Sequence, residues 1–149
     1  MTNQKELMSR ELRDSLSKRT DVLEKVKHLL LLPGIEMMTS KQVAEYFEVS
    51  TNDLRQVYKR NQAEIDSDGT ALMKPDDFSR DTMSRLKNGK RGATLFQLED
   101  GTIIEIQNFG VRCFSARAIL RIAMLLRDSE VAKEVRTQLL NVVEAVEPE

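Results

Sequence analysis

The sequence contains few of the residues that build catalytic or metal sites. Its 149 residues include one cysteine, one histidine and no tryptophan, and aromatic residues make up 5%. A single thiol cannot form an internal disulfide, so we expect Cys113 to be a small buried residue in a reducing compartment. His28 has no cysteine nearby. A zinc cluster or a cysteine and histidine pair therefore cannot be assembled from local motifs.

Long apolar runs and phosphate-binding loops are also missing. The longest apolar run is Leu29 to Leu32, and the N-terminal stretch MTNQKELMSREL is charged. We therefore expect a cytoplasmic protein without a membrane span, a membrane partner or a signal peptide. The stretch KNGKRG lacks P-loop spacing, and the glycine of DSDG comes too early for a calcium loop. These absences predict a protein that is not an enzyme and has no cofactor and no metal.

The charge is nearly balanced in total but uneven along the chain. The net charge is -1 at pH 7, from 23 basic and 24 acidic residues. Acidic residues cluster in EIDSDG and KPDDF, and basic residues cluster from Arg85 to Arg91 and at Arg55, Lys59 and Arg60. Basic patches on one face are typical of nucleic-acid binding, although solvated surface lysines are commoner. Charge alone therefore permits this function without indicating it.

The length and the 40% hydrophobic content suit one compact domain with a helical extension. We divide it into N-terminal helices over residues 1–32 and a main domain over residues 33–149. Apolar spacing predicts a first helix over about residues 5–18. It also predicts a second helix that Thr20 or Asp21 caps and that continues through Leu30.

The remaining elements are marked by caps and turns. Pro75 predicts the first residue of a helix that runs through Leu86. The stretch ATLFQLEDGTIIEIQN predicts a β-hairpin with the two-residue loop Asp100-Gly101. Ser115 and Ser129 each precede an apolar helical pattern. In the second of these helices we expect the stripe of Val131, Val135, Leu139, Val142 and Val146 to pack in the core.

The stretch TSKQVAEYFEVSTNDLRQVYKRN, from Thr39 to Asn61, predicts two short helices at an angle. Thr39 with Gln42 has capping-box spacing, and Ser50 with Asp53 has a related spacing, so two helix starts lie eleven residues apart. Apolar residues then fall on one side of each helix: Val43, Ala44 and Phe47 on the first, and Leu54, Val57 and Tyr58 on the second.

The opposite side of the second helix contains groups that suit a DNA groove. We expect Asn52, Arg55 and Gln56 to contact base edges in a major groove, because their side chains form paired hydrogen bonds. The residues expected at phosphates are Thr51, Lys59, Arg60, Lys87, Lys90 and Arg91. The alternative is an ordinary helical hairpin in a core with a solvated polar face.

The stretch resembles the helix-turn-helix of bacterial and phage regulators, with Ala44, Val49, Leu54 and Val57 at the usual apolar positions. It departs from them at the turn, where Glu48 replaces a common glycine at a site that favours a left-handed backbone. A helix-turn-helix accompanied by a β-hairpin is the winged-helix plan. We therefore expect an α+β, mostly α protein: a winged helix-turn-helix with a β-hairpin and additional N- and C-terminal helices.

The C-terminal third supplies a second resemblance. The segment from Phe114 to Glu144 resembles the end of the N-terminal DNA-binding domains of phage antirepressor, Rha-type and KilA-N-type regulatory proteins. The matching residues are Arg117, Leu120, Leu125, Leu126, Ser129, Ala132, Val135, Arg136 and Leu139.

This resemblance implies a phage or prophage regulator, and together with the motif it predicts a sequence-specific double-stranded DNA-binding protein. We expect a homodimer on a palindromic site. The alternative is an antirepressor-like module that binds and sequesters another phage or host regulator.

Overall fold

The computed structural model describes residues 9–78, 83–87 and 91–146, with side chains described up to residue 141. These residues form α-helices and two three-stranded antiparallel sheets, so the α+β class is confirmed. The helices are α1 (Arg10–Leu16), α2 (Asp21–Val26), α3 (Ser40–Phe47), α4 (Thr51–Arg60), α5 (Gln62–Asp66), α6 (Ala116–Leu125) and α7 (Glu130–Val146). The strands are β1 (Met37–Thr39), β2 (Thr70–Met73), β3 (Met83–Arg85), β4 (Ala93–Leu98), β5 (Ile103–Gln107) and β6 (Val111–Ser115).

The first sheet has the order β1-β6-β2 and lies between two hydrophobic cores. Successive residues of a strand point to opposite faces. Phe114 accordingly packs with the helices, whereas its neighbour Cys113 packs with the second sheet. In β1, Met38 likewise packs with the helices and Met37 with the second sheet. This sheet therefore joins the helical layer to the β3-β4-β5 sheet. The N-terminal residues Leu16, Val22 and Leu23 are part of the helical core as well.

The second helix is shorter than predicted. It ends at Val26, and Lys27 has an extended backbone. The predicted continuation through Leu30 is wrong because the leucines that follow alternate between the two cores. Leu29 and Leu31 pack against the helical core, and Leu30 and Leu32 pack in the second core. An extended segment can bury both of its sides in this way, whereas a helix would place these residues around one cylinder.

The predicted helix from Pro75 to Leu86 is also wrong. Pro75–Asp77 forms a single 3-10 turn, in which the Asp77 side chain accepts a hydrogen bond from the Lys74 N–H at 2.8 Å. Met83–Arg85 is instead a strand that pairs with β4. Phe78 and Met83 supply the second core, so pairing with the hairpin overrides the helical spacing of these residues.

The predicted hairpin is confirmed, with a longer loop. In its strands Phe96 lies opposite Ile104, and both are buried. Residues 99–102 separate β4 from β5, and the Leu98 N–H donates to the Thr102 carbonyl at 2.8 Å. The loop is therefore wider than the predicted pair Asp100-Gly101. The hairpin pairs with β3, a strand that the sequence analysis did not identify.

The C-terminal helices begin at the predicted serines. The Ser115 side chain accepts a hydrogen bond from the Ala118 N–H at 3.2 Å, and the Ser129 side chain accepts one from the Ala132 N–H at 3.1 Å. Val135 and Leu139 are fully buried. This part of the apolar stripe therefore packs in the core of its own chain, as expected. The side chains of Val142 and Val146 lie outside the described residues.

Candidate nucleic-acid interface

Helices α3 and α4 form a tightly connected pair. Thr39 and Gln42 make the predicted capping box, with hydrogen bonds of 3.0 and 3.2 Å between the side chain of each and the backbone N–H of the other. The Ser50 side chain accepts from the Asp53 N–H at 3.0 Å, which caps α4. Only residues 48–50 separate the two helices. Both predicted helix starts are confirmed.

The turn between these helices has the left-handed residue that the motif requires. Glu48 has φ 58° and ψ 43°, and the N–H groups of Glu48 and Val49 donate to the carbonyls of Glu45 and Ala44. This hydrogen-bond pattern is a Schellman motif. The Lys27 ammonium bonds to the Glu45 and Tyr46 carbonyls and to the Glu48 carboxylate, at 3.1 to 3.3 Å. The extended backbone at Lys27 therefore brings a cation to the C-terminus of α3, where it is favourable.

One side of α4 is exposed and the other is anchored. Leu54 is 1% exposed and packs in the helical core. The exposed residues include Thr51, Asn52, Arg55, Gln56, Lys59 and Arg60, which are all the predicted DNA-contacting residues of this helix. Arg60 donates to the Gln56 side chain at 3.5 Å, and Arg55 and Lys59 have no ion-pair partner among the described residues. The helix therefore presents amide and cationic groups to solvent.

The other predicted phosphate contacts lie between β2 and β6 in the chain. Lys87 follows β3 and Arg91 precedes β4, and both are exposed. Lys90 lies outside the described residues. These positions belong to the part of the chain that builds the second sheet. The structure thus brings the six α4 residues together on one helix, and it leaves Lys87 and Arg91 next to the strands of the second sheet.

Tyr58 fixes the C-terminal half of α4 to the first sheet. Its ring packs edge to face on Phe114 at 5.4 Å, and the Arg112 guanidinium lies over it at 5.6 Å. Its hydroxyl donates to Asp66 at 2.6 Å, and Asp66 also accepts from the Thr70 hydroxyl. Burial and the bond to Asp66 raise the pKa of the Tyr58 hydroxyl. Tyr58 therefore stays protonated and holds α4 against β2 and β6.

A buried ionic cluster joins α1, α5 and α6. Arg121 is 2% exposed, and its guanidinium donates to Asp68 at 2.6 Å, to Asp14 at 2.7 Å and to Glu64 at 2.9 Å. Arg13 makes a two-bond contact with Glu64 at 2.6 and 2.8 Å. Most of the acidic stretch EIDSDG is therefore used inside the fold, because Glu64, Asp66 and Asp68 each bond to another element.

The ionisation of this cluster follows from its pairing. Burial opposes the charge on Glu64, but the hydrogen bonds from Arg13 and Arg121 outweigh it and keep its pKa below the ordinary value of 4.5. Burial likewise opposes the charge on Arg121, but its bonds to Asp68 and Asp14 raise its pKa. Glu64 and Arg121 are therefore both charged at neutral pH. The sequence gives no signal for it, because its members are up to 107 residues apart.

A groove of about 510 Å³ runs along one edge of α4. Val49, Val57, Leu125 and Leu126 supply its apolar lining, and the polar lining includes Asp53, Gln56, Arg60, Asn61, Arg127 and Asp128. The Ser129 hydroxyl donates to the Phe47 carbonyl at 2.6 Å, which holds the turn between α6 and α7 against the C-terminus of α3, and residues 125–128 line the same groove as α4. This turn is therefore part of the surface around α4.

Metal and membrane sites have no support in the described ranges. No group of three or more histidine, cysteine, aspartate or glutamate side chains there could hold a metal ion. No helix in the same ranges combines the length and hydropathy needed to cross a bilayer. Burial raises the pKa of Cys113 to about 12, and the thiol is enclosed in the second core. No protein-family model, curated protein or solved structure matches the chain.

Proposed function

We propose that the protein is a sequence-specific transcriptional regulator that binds double-stranded DNA with α4 in the major groove. One observation supports this most directly. Asn52, Arg55 and Gln56 are all exposed on a helix whose opposite side buries Leu54. Asparagine and glutamine pair with adenine and arginine pairs with guanine at major-groove edges. These three residues supply the base contacts of the proposal.

The surrounding cations supply the phosphate contacts. Lys59 and Arg60 lie in the last turn of α4, and Thr51 lies in its first turn. Lys87, Lys90 and Arg91, in the segment between β2 and β6, are the other proposed phosphate contacts. Each neutralised phosphate releases counterion, so the affinity should fall with salt at a log-log slope of about 0.9 per contact.

The first sheet supports a winged-helix interpretation with a different wing from the predicted one. In chain order, β1 precedes α3 and α4, and β2 and β6 follow as antiparallel partners. Strand β6 contacts α4 through Phe114 and Arg112. The β4-β5 hairpin instead packs in the second core. We therefore assign the wing to β2 and β6.

Selection of bound fragments from randomised duplexes tests the function. We expect one sequence to be enriched. If two copies of this phage- or prophage-type regulator bind as a homodimer, the enriched sequence should be a palindrome. Arg55→Ala with Lys59→Ala should abolish binding to that sequence. Lys25→Ala with Lys133→Ala is the matched control, because it removes the same charge from exposed positions on α2 and α7. If no sequence is enriched and the two double variants behave alike, the proposal fails.

The groove beside α4 favours a second candidate, an antirepressor-like module that binds another regulator. Its aliphatic lining suits an apolar contact with a protein. Binding of this kind should tolerate salt, whereas DNA binding should not. Leu125→Lys would then abolish capture of the regulator and leave duplex binding intact. Titration at increasing salt separates the two candidates.

A further inference from the structure

The groove beside α4 follows that helix for two turns. Its lining includes Asp53, Gln56, Val57 and Arg60, whose spacing of three and four residues places them on one face of the helix. Asp53 and Arg60 are seven residues apart, so at about 1.5 Å per residue this lined stretch is about 10 Å long. The groove volume of about 510 Å³ lies in the range of small-ligand sites, about 300–1,000 Å³.

The groove combines charged groups of both signs with an aliphatic lining. Asp53 and Asp128 supply carboxylates, and Arg60 and Arg127 supply guanidinium groups. Arg13 also lines the groove, but it belongs to the buried ionic cluster. Asp53, Asp128 and Arg60 have no ion-pair partner among the described residues. A ligand that complements this lining has an ammonium group, a carboxylate and an apolar body.

We propose that the groove binds a short apolar peptide with free termini, in which the ammonium contacts Asp53 and the carboxylate contacts Arg60. In a free amino acid these two groups share one carbon atom, so they cannot reach both residues. An extended chain spans at most about 3.3–3.6 Å per residue. About three residues therefore cover the distance of about 10 Å along α4. The apolar side chains of the peptide pack on the aliphatic lining, which consists of Val49, Val57, Leu125 and Leu126.

The size of the groove favours a free peptide over a segment of a protein. A standard protein interface contains about 20–30 residues on each side, whereas eleven residues line this groove. The backbone of an internal protein segment also has no charged termini. It would leave Asp53 and Arg60 without the partners that a free peptide supplies. Binding of a protein segment, as in the antirepressor-like candidate, is therefore an alternative outcome of the test.

Occupation of the groove would compete with DNA for α4. Gln56 is one of the proposed base contacts and Arg60 is one of the proposed phosphate contacts, and both line the groove. This part of the inference rests on the proposed function. A peptide bound to these residues excludes the duplex, and the duplex excludes the peptide to the same extent. The peptide is thus an effector that releases the regulator from DNA.

Calorimetric titration of the protein without DNA tests the site, with the tripeptide Leu-Ala-Leu as the probe. N-acetylation and C-amidation of the probe should each weaken binding about tenfold, because each removes a hydrogen-bonding group with a charge. Gly-Gly-Gly has both termini without apolar side chains, and free leucine is too short. Both should bind at least about tenfold more weakly than the probe.

Two results of this titration would overturn the inference. One is the absence of Leu-Ala-Leu binding. The other is equal binding of the free probe and of the probe blocked at both ends, which would instead favour a protein segment as the occupant.

Matched variants assign the two ends of the peptide. Asp53→Asn should weaken binding of the free probe about tenfold and leave binding of the N-acetylated probe unchanged, because that probe lacks the ammonium. Arg60→Gln should behave in the same way toward the C-amidated probe. Glu45→Gln is the control, since it removes an exposed carboxylate of α3 that does not line the groove. Equal losses for the free and the blocked probes would contradict the assigned contacts.

Competition with the selected duplex separates this inference from the proposed function. At a Leu-Ala-Leu concentration ten times its dissociation constant, the apparent affinity for the duplex should fall about tenfold. Binding of the probe without binding of any duplex would overturn the proposed function and leave the peptide site in place. Binding of the duplex without binding of the probe would overturn this inference alone. Simultaneous binding of both, with neither affinity changed, would overturn the effector role.

Discussion

Two charged regions of this protein have opposite environments. The cations of α4 are exposed, and Arg55 and Lys59 have no ion-pair partner among the described residues. Arg13 and Arg121 are buried and bonded to carboxylates at 2.6 to 2.9 Å. A buried charge without a partner is expensive, so the second region requires its pairs. Exposed cations next to amides cost the fold little, and are available to a ligand.

The net charge of the chain does not describe the charge on its surface. The chain has 24 acidic residues against 23 basic residues, which does not suggest a polyanion partner. However, Glu64, Asp66 and Asp68 are bonded within the fold. Arg13 and Arg121 compensate the charges of Glu64 and Asp68, whereas Asp66 accepts from the Tyr58 and Thr70 hydroxyls. The total charge therefore does not describe the surface of α4, where Arg55 and Lys59 are exposed.

The largest expected effect is on the buried region. Arg121→Met should lower the free energy of unfolding by about 3–5 kcal/mol, because Asp68 would remain buried without its main partner and Glu64 would keep only Arg13. Urea denaturation at pH 7 measures this change in the free energy of unfolding. Arg117→Met is the control: its side chain is 48% exposed and lies 3.5 Å from Asp68, so it should cost under about 1 kcal/mol. Equal effects of the two variants would contradict the importance of burial.

Glu64→Gln should lower the free energy of unfolding by about 2 kcal/mol at pH 7, since hydrogen bonds to two guanidinium groups lose their charge. The folded-state pKa of Glu64 lies below 4.5. Its stabilising charge is therefore fully present above pH 4.5 and is lost as pH falls through the folded value. Denaturation from pH 7 to pH 3 should show the difference between wild type and variant shrinking below pH 4.5. A constant difference would contradict this pairing.

Glu48→Gly should raise the free energy of unfolding by about 0.5–1 kcal/mol, because glycine adopts the left-handed backbone without strain. The lost ion pair with Lys27 is exposed and weak. Glu45→Gly is the control on the same helix and should destabilise by about 1 kcal/mol. Thermal unfolding compares them. Destabilisation by both variants would mean that the Glu48 side chain matters more than its backbone.

The smallest effect is expected on the exposed side of α4. Asn52→Ala and Gln56→Ala should change the free energy of unfolding by less than about 0.5 kcal/mol, while weakening binding to the selected duplex. Leu54→Ala, on the buried side, should cost about 2–5 kcal/mol. Circular dichroism with urea measures all three variants. A large loss of stability at Asn52 or Gln56 would show that these residues support the fold.

Sequence reasoning identified the elements that local chemistry specifies. The caps at Thr39, Ser50, Ser115 and Ser129 are confirmed, since each depends on residues within three positions. It failed where partners are distant in the chain. The leucines at 29–32 and the residues Phe78, Met83 and Leu86 have helical spacing. However, the leucines alternate between the two cores, and Met83–Arg85 pairs with β4 as a strand. Strands β2 and β6 were missed because they are short and pair only with each other and with β1.

The candidate site also has some features that the sequence predicted and others that it did not. The residue types of α4 and their separation from Leu54 were readable from helical periodicity, and the structure leaves all six of them exposed. The positions of Arg112 over Tyr58 and of Leu72 against Gly110 could not be predicted, because β2 and β6 are joined by a 37-residue connection, residues 74–110.

The sequence by itself determined where α3, α4, α6 and α7 begin and which side of α4 is polar, because capping and periodicity act over a few residues. Only the tertiary structure decided which charges are buried and which are exposed. Arg121 and Arg55 are both helical arginines, and the apolar neighbours of Arg121 indicate a buried helix without identifying the carboxylates that pair with it. The difference arises from distant carboxylates that fold around Arg121 and are absent from the described surroundings of Arg55.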